Sequence, residues 1–463
     1  MGSLTDVRLE LPAWDAVINV LLLQGGYNAR VVVVGTALLG TAAGLIGTFA
    51  LLRRRAMVGD GLAHAALPGL AIAYLISVWA GGEGRVLPVL LFGAAVSGVV
   101  GVLIIQFLSQ ATRLEEDAAI GIVLSVFFGA GVLLLSYIQS LGTGTEGGIQ
   151  HFIYGQTAAM RLRDAKMIAV IAAVASACAL LFLKEFRIVC FDREYAAVQG
   201  WPVGLIDLVM MALIVLVTII GLQSVGLILV VALLVLPSVS ARLWSDRLGR
   251  ITFLSAGFGA VSGYVGSALS ALFGRLPAGA VIVLTAGTFF ALSLLFAPRR
   301  GVIAACYRQV RLRLRIETDH LLRGYYEVVE DAGAQSGVVP LDAIPVCRSW
   351  SPLHRLLILN VLRVRGYCTA IGGGISLTEL GMQRARELTT NHRLWEQYLV
   401  TFGELPASHV DQSADMVEHV LSPEIVSRLR EALLKRGRMP RGGGPLPSVH
   451  PIATDAGTME SGR

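Results

Sequence analysis

Between residues 31 and 297 the chain passes through nine apolar stretches, about 31–52, 62–80, 87–108, 118–140, 166–184, 205–222, 225–242, 252–273 and 280–297. Each lies near the roughly 20 residues that a helix needs to cross hydrocarbon about 30 Å thick. In that medium every backbone N–H and C=O must be satisfied within the segment, so spans of this length are expected to be helical. The architecture this predicts is an all-α polytopic membrane bundle of about eight or nine spans, over residues 31–300. A hydrophobic content of 55% and a mean hydropathy of +0.69 over 463 residues exclude an ordinary soluble enzyme. The run Ala16–Leu23 is too short to span and reads as an interfacial helix in an N-terminal segment 1–30. Asp6, Glu10 and Asp15 stand where a secretory signal carries basic residues, so no cleavable signal is expected.

Basic residues set the orientation. Arg53–Arg55 follow the first stretch, Arg113 the third, Lys184, Arg187 and Arg193 the fifth, Arg242, Arg247 and Arg250 the seventh, and Arg299 and Arg300 the last. Every second loop is thus basic, which predicts those loops and everything after Pro298 on the cytoplasmic side of a bacterial plasma membrane. Arg161 and Arg163 depart from the pattern. The five cysteines, Cys178, Cys190, Cys306, Cys347 and Cys368, contain no C-x-x-C pair and read as reduced thiols.

One apolar run holds an acid and a histidine: Gly59-Asp60-Gly61-Leu62-Ala63-His64. On a helix, side chains four residues apart share a face about one turn apart, so Asp60 and His64 could hold one cation between them. Ionisable groups at membrane depth are costly and mark functional sites by default. The alternative is that Asp60 caps the helix and His64 is its neighbour. Glycines recur at small-residue spacings, Gly35…Gly40…Gly44…Gly47 and Gly257…Gly259…Gly263…Gly266, as in closely packed membrane helices. Between the fifth and sixth stretches, Asp192 is placed to cap a short helix that Gly200 ends and Pro202 blocks. A P-loop needs G-x-x-x-x-G-K-[ST], but Lys166, Lys184 and Lys435 are the only lysines and none follows a glycine. No nucleotide is expected to bind this chain at a Walker A motif.

These features together resemble the permease subunit of the zinc, manganese and iron uptake class of ABC transporters, over about residues 30–300. The resemblance rests on Gly59-Asp60…His64-Ala65, Phe152-Ile153-Tyr154-Gly155, Phe191-Asp192-Arg193-Glu194-Tyr195-Ala196…Gly200 and Val225-Gly226-Leu227…Leu236-Pro237-Ser238…Arg242. It implies a pair of permease chains, homo- or heterodimeric, with cytoplasmic ATPases and an extracellular or periplasmic protein that delivers the metal. It also implies that Asp60 and His64 line the metal path, and that Asp192, Glu194, Tyr195 and Gly200 belong to the loop that touches the ATPase.

After Arg300 the chain becomes arginine-rich and polar. Residues 301–316 read as a linker carrying Arg311-Leu312-Arg313-Leu314-Arg315, and the Gly/Pro-rich stretch 439–463 as a disordered tail. Helices are expected near 317–331, 340–347, 351–365 and 377–402, with a turn at Gly372-Gly373-Gly374 and a capping box at Ser376-Leu377-Thr378-Glu379. Three helices and a small wing suggest a winged helix-turn-helix over 317–378, followed by a helical domain over 379–438. His392 and Glu396 are four apart, and Asp411, Asp415, Glu418 and His419 follow at helical spacings. Oxygen and nitrogen donors without thiolate suit manganese, ferrous iron or zinc, while solvated charges on amphipathic helices would show the same pattern.

Leu377-Thr378-Glu379-Leu380-Gly381…His392-Arg393-Leu394-Trp395-Glu396…Glu418-His419-Val420-Leu421-Ser422 resembles the diphtheria-toxin-repressor family of iron- and manganese-dependent regulators. That resemblance implies metal-ligand roles for His392, Glu396, Asp415, Glu418 and His419, with Asp411 near another such position. The family's first helix also contributes ligands; His320 and Arg323 fall there, and an arginine cannot ligate a cation. The expectation is a metal-uptake permease with a fused cytoplasmic metal-sensing domain. Its rivals are a membrane-tethered metal-dependent regulator that binds DNA, and an ion-gradient-driven carrier.

Overall fold

The computed structural model describes residues 14–438 except 25, 54–57, 83–86, 142–156, 158–159, 274–275, 334–336, 345–349, 404–405 and 407–421, and beyond 438 only Leu446. The expected disordered tail and the motif Phe152–Gly155 lie outside the described residues. The chain divides into two compact units, Met1–Ala305 and Cys306–Arg463.

In the first unit the helices are α1 Trp14–Leu21, α2 Tyr27–Leu52, α3 Val58–Trp79, α4 Leu87–Ala111, α5 Glu116–Ser140 and α6 Leu162–Leu181. There follow α7 Leu183–Phe191, α8 Arg193–Val198, α9 Val203–Val225, α10 Leu227–Trp244, α11 Leu248–Leu272 and α12 Ala278–Phe296. Among the described residues eight of these (α2–α6, α9, α11 and α12) are long and apolar enough to cross a membrane. The stretch 225–242 forms α10, whose apolar part Val230–Trp244 is shorter than a full span. Gly226 is the single residue between α9 and α10, and its φ of +87° is a conformation that a side chain would strain.

Helix α2 is the most enclosed, packed on α6, α9, α10 and α11. Its glycines explain how. A Cβ at Gly40 would lie 2.1 Å from the Gly259 carbonyl oxygen, one at Gly44 2.2 Å from that of Ser255, and one at Gly263 2.3 Å from that of Thr36. Lipid supplies no hydrophobic drive between helices, so contact of this closeness is what lets dispersion and interhelical hydrogen bonds hold them. Ser255 Oγ donates to the Gly44 carbonyl at 2.5 Å, and the Thr36 and Ser267 hydroxyls meet at 2.5 Å. Not every glycine in the stripe serves this crossing, since nothing lies within 4 Å of a Cβ at Gly257. Helix α1 lies against α11, where the Tyr264 hydroxyl donates to the Leu21 carbonyl.

The second unit begins within α13, Val302–Asp331, so the expected linker 301–316 is helical from Val302 on. Its i,i+4 charges explain the continuity: Arg315 faces Asp319 at 3.9 Å and Arg323 faces Glu327 at 3.6 Å. Then come β1 Val339–Pro340, α14 Pro352–Val364, β2 Cys368–Ile371, β3 Gly374–Leu377, α15 Glu379–Phe402 and α16 Pro423–Lys435. The antiparallel sheet has the order β1-β3-β2, with Val339 opposite Ile375 and Cys368 opposite Leu377. Its hairpin turns at Gly372 and Gly373, both at positive φ. Tyr325, Ile344, Ile358, Leu362, Ile375 and Leu388 form the core beneath it.

Two expectations need correction. The helix predicted near 340–347 is only a 3-10 turn, Leu341–Ala343, among the described residues, and 345–347 of that stretch lie outside them. The capping box at Ser376–Glu379 is absent as well. Thr378 caps α15 by accepting from the Gly381 N–H at 3.1 Å, while Ser376 is drawn into β3 opposite Thr369.

Candidate functional site

In the first unit Asp60 and His64 lie one turn apart on α3. Asp60 stands inside the helix, in its first turn, and not at the cap; its side chain lies outside the described residues. His64 is half-buried, and its ring meets Phe128 of α5 edge-on at 4.9 Å and 83°. Four residues on, Pro68 has no N–H to donate to the His64 carbonyl.

Just beyond this histidine the helix is held tightly against α4 and α5. A Cβ at Gly69 would lie 2.1 Å from the Gly93 carbonyl oxygen, and one at Gly131 2.8 Å from Leu67 Cβ. Ser97 Oγ of α4 donates to the Ala65 carbonyl at 2.6 Å. Among the described residues no three His, Cys, Asp or Glu side chains converge on a common cation position.

The segment from α7 to α8 forms the second candidate region. Asp192 Oδ1 accepts from the Tyr195 N–H at 2.8 Å and so caps α8. Glu194 sits in the first turn, the Tyr195 hydroxyl accepts from Gln199 Nε2 at 2.7 Å, and Gly200 closes the helix at φ +82°. Phe191, Tyr195 and Val198 are exposed, and a cleft of about 720 Å³ opens between Arg187, Phe191, Asp192 and Tyr195 on one side and Asp246–Gly249 on the other. Two basic and two acidic side chains on its walls give it mixed charge.

A buried ion pair that sequence reasoning missed anchors this segment. Asp207 of α9, 2% exposed, meets Arg53 Nη2 at 3.0 Å, and Arg53 Nη1 donates to the Val189 carbonyl of α7 at 3.3 Å. One guanidinium thus joins the end of α2 to α7 and α9, the helices on either side of α8. Arg53 is separated from Asp207 by 154 positions, so only the acid's place in an apolar run could have signalled it.

In the second unit His392 and Glu396 of α15 are both buried, with His392 Nε2 3.3 Å from Glu396 Oε1. The group that joins them is Arg323 of α13, whose Nη1 lies 2.6 Å from His392 Nδ1. His320 is half-buried on α13. Asp411, Asp415, Glu418 and His419 lie outside the described residues. As arranged, His392 and Glu396 do not fit a metal: a metal-ligating histidine gives its other ring N–H to an acceptor, and here that nitrogen faces a guanidinium, which only donates.

On α14 the exposed positions include Leu353, Leu356, Leu357 and Val364 together with Asn360 and Arg363, while Arg355 is tied to Asp342 at 2.6 Å and His354 to Glu317 at 3.0 Å. Burial pushes the Cys368 thiol above its ordinary pKa, an effect that nearby Arg363 partly offsets.

Comparison with known proteins accords with this division. Residues 378–445 match the iron dependent repressor, metal binding and dimerisation domain. The manganese transport system membrane protein MntC of Bacillus subtilis is 36% identical over 415 residues, 89% of this chain and 93% of that protein. An alignment of that length outruns the 305 residues of the first unit, so the relative shares part of the tail. The zinc transport system membrane protein TroC of Treponema pallidum is 41% identical over 292 residues, 63% of this chain and 96% of that protein. Among solved structures, PsaBC from Streptococcus pneumoniae in complex with Fab shares 29% identity at a TM-score of 0.53, over 65% of this chain and 99% of that one. With residues 27–297 matching the ABC 3 transport family, this chain belongs to that family and carries an iron-dependent-repressor metal-binding and dimerisation domain behind its membrane helices.

Proposed function

We propose that this chain is the membrane subunit of an ABC importer for a divalent transition metal. Manganese and zinc are the ions named for its relatives, and ferrous iron suits the same donors. The observation that carries the reading is the placement of Asp60 and His64 one turn apart on α3, the helix packed on α4 and α5. One carboxylate and one imidazole are too few ligands to hold such an ion. Two chains about a twofold axis would bring four, which favours a path between paired permease chains. The absence of a Walker A lysine assigns energy to a separate cytoplasmic ATPase, with α7–α8 and their cleft as its docking surface. An extracellular metal-binding protein would deliver the ion. The second unit would lie in the cytoplasm, a placement that the alternation of basic loops supports.

Sensing by the second unit would couple cytosolic metal to transport only if metal binds two conformations unequally. Its candidate donors are Asp411, Asp415, Glu418, His419 and His320, since Arg323 stands against His392. The exposed Leu353, Leu356, Leu357 and Val364 of α14 support regulation through protein contact; the rival reading is a DNA-binding regulator, for which Asn360 and Arg363 are exposed polar groups on the same helix.

The test is elemental analysis of cells expressing the chain with its ATPase partner. The reading expects one of manganese, zinc or iron to accumulate, and to stop doing so when the ATPase loses its P-loop lysine. Accumulation that ignores the ATPase would establish the ion-gradient carrier instead. Equal uptake, at low and high cytosolic metal, by the full chain and a chain cut at Arg315 would remove the sensing role.

A further inference from the structure

Helices α13 and α15 meet through a series of charged contacts. Arg384 Nη2 of α15 approaches Asp319 Oδ2 of α13 at 3.8 Å, and the same carboxylate oxygen faces Arg315 Nε at 3.9 Å. Further along, Arg323 reaches His392 at 2.6 Å, and Arg393 Nη2 meets Glu330 Oε2 at 2.5 Å. Arg393 Nη1 also donates to the Leu446 carbonyl at 2.9 Å. In the middle contact Arg323, His392 and Glu396 are all buried, with exposures of 8%, 2% and 0%.

The donor and acceptor roles there follow from chemistry. A guanidinium is always protonated and has no lone pair to give. The His392 Nδ1 atom at 2.6 Å must therefore accept, which leaves the proton on Nε2, directed at Glu396 Oε1 3.3 Å away. The result is a guanidinium that Glu327 also faces at 3.6 Å, a neutral imidazole whose Nδ1 is the nearer nitrogen to it (2.6 Å against 3.5 Å for Nε2), and an anion on the Nε2 side. A buried carboxylate needs a compensating cation, and the geometry supplies one from within the chain. A metal ion on Nδ1 would have to displace the guanidinium. A metal ion on Nε2 would require the other tautomer, whose Nδ1–H would point at the Arg323 donors. Either position would also set a divalent charge beside a fixed positive one.

We propose that the Arg323 guanidinium is the resident cation of the buried His392–Glu396 pair, so that α13 and α15 are held together at this point without a metal ion. Any metal dependence of the second unit then arises elsewhere in it. The conclusion concerns only these three side chains and stands whether or not the membrane helices carry metal.

The test uses the full-length protein in detergent, dialysed against manganese or zinc alone. Metal equivalents are counted by elemental analysis for wild type and His392→Gln, and hydrogen exchange over residues 379–402 is followed in wild type and Arg323→Gln. The account expects equal metal content for wild type and His392→Gln. It expects wild-type exchange in α15 to agree within twofold between manganese and EDTA, and Arg323→Gln to exchange at least tenfold faster in EDTA. The loss of one metal equivalent in His392→Gln would overturn the proposal, as would tenfold loosening of wild-type α15 by EDTA or wild-type exchange rates in Arg323→Gln. Should Arg323→Gln not accumulate, Arg323→Lys keeps a cationic donor and is expected to exchange no more than a few-fold faster than wild type, tenfold or more refuting the proposal. The comparison of wild type with His392→Gln needs neither variant.

Discussion

Replacing Arg53 by Met would remove the cation that the Asp207 carboxylate meets at 3.0 Å, at a position where the acid is 2% exposed. Breaking one side of a buried pair costs on the order of 3–5 kcal/mol, because the remaining charge stays in a medium that solvates it poorly. Asp207→Leu removes the buried anion and leaves Arg53, at 13% side-chain exposure and still bonded to the Val189 carbonyl, better able to find water. Its cost should therefore be smaller, about 1–3 kcal/mol. The double variant should cost less than the sum, giving a coupling energy of roughly 2 kcal/mol or more. The assay is reversible unfolding in mixed detergent micelles of wild type, both single variants and the double variant. Strict additivity, with coupling below about 0.5 kcal/mol, would refute the claim that this pair clamps α2 to α7 and α9. ATP-driven transport should fall with the singles and partly return in the double, since the clamp positions the segment that carries Asp192 and Tyr195.

Three further outcomes are expected. Gly40→Val should sharply lower the yield of folded protein, because its Cβ would fall 2.1 Å from the Gly259 carbonyl oxygen, whereas Gly257→Ala, with nothing within 4 Å, should match wild type in a thermal-shift series. Asp192→Ala removes the cap on the Tyr195 N–H and should loosen α8 by about 1 kcal/mol, read as faster hydrogen exchange over 193–198 and weaker ATPase stimulation. Burial raises the Cys368 pKa, so the fold favours the neutral thiol. Its stability contribution is complete below the thiol's ordinary pKa and is lost as pH rises through the raised value. Labelling by a thiol reagent between pH 7 and 10 should therefore reach Cys368 only at higher pH than exposed Cys306, and matching pH profiles would contradict this.

The spans were readable because hydrocarbon imposes one solution on an apolar run of about 20 residues, and the glycine stripes because close helix approach leaves no room for a Cβ. Single-turn devices such as the Asp192 cap, Gly200 and Pro202 were readable for the same local reason. What failed was partly local and partly dependent on partners distant in sequence. The Arg311–Arg315 alternation gave no sign of a helix until the i,i+4 pairs onward from Arg315 were seen to carry one. The helix expected at 340–347 is bracketed by Pro340 and Pro345, which leave too few residues to nucleate an α-helix. Ser376 was misassigned as a cap because nothing local reveals that β3 will pair with β2. His392 and Glu396 were legible as a pair on one helical face, but their actual counterpart, Arg323, comes from 69 residues away.

The central claim is that Asp60 and His64 of α3 form the metal path, and it is tested most directly by cellular metal content. Wild type and Asp60→Asn/His64→Ala are expressed with the same ATPase partner, and manganese, zinc and iron are measured at matched amounts of membrane protein. The account predicts that one metal accumulates with the wild type and falls to the empty-vector level with the double substitution. Undiminished accumulation by the substituted chain would show that this acid and histidine serve the helix and not the ion.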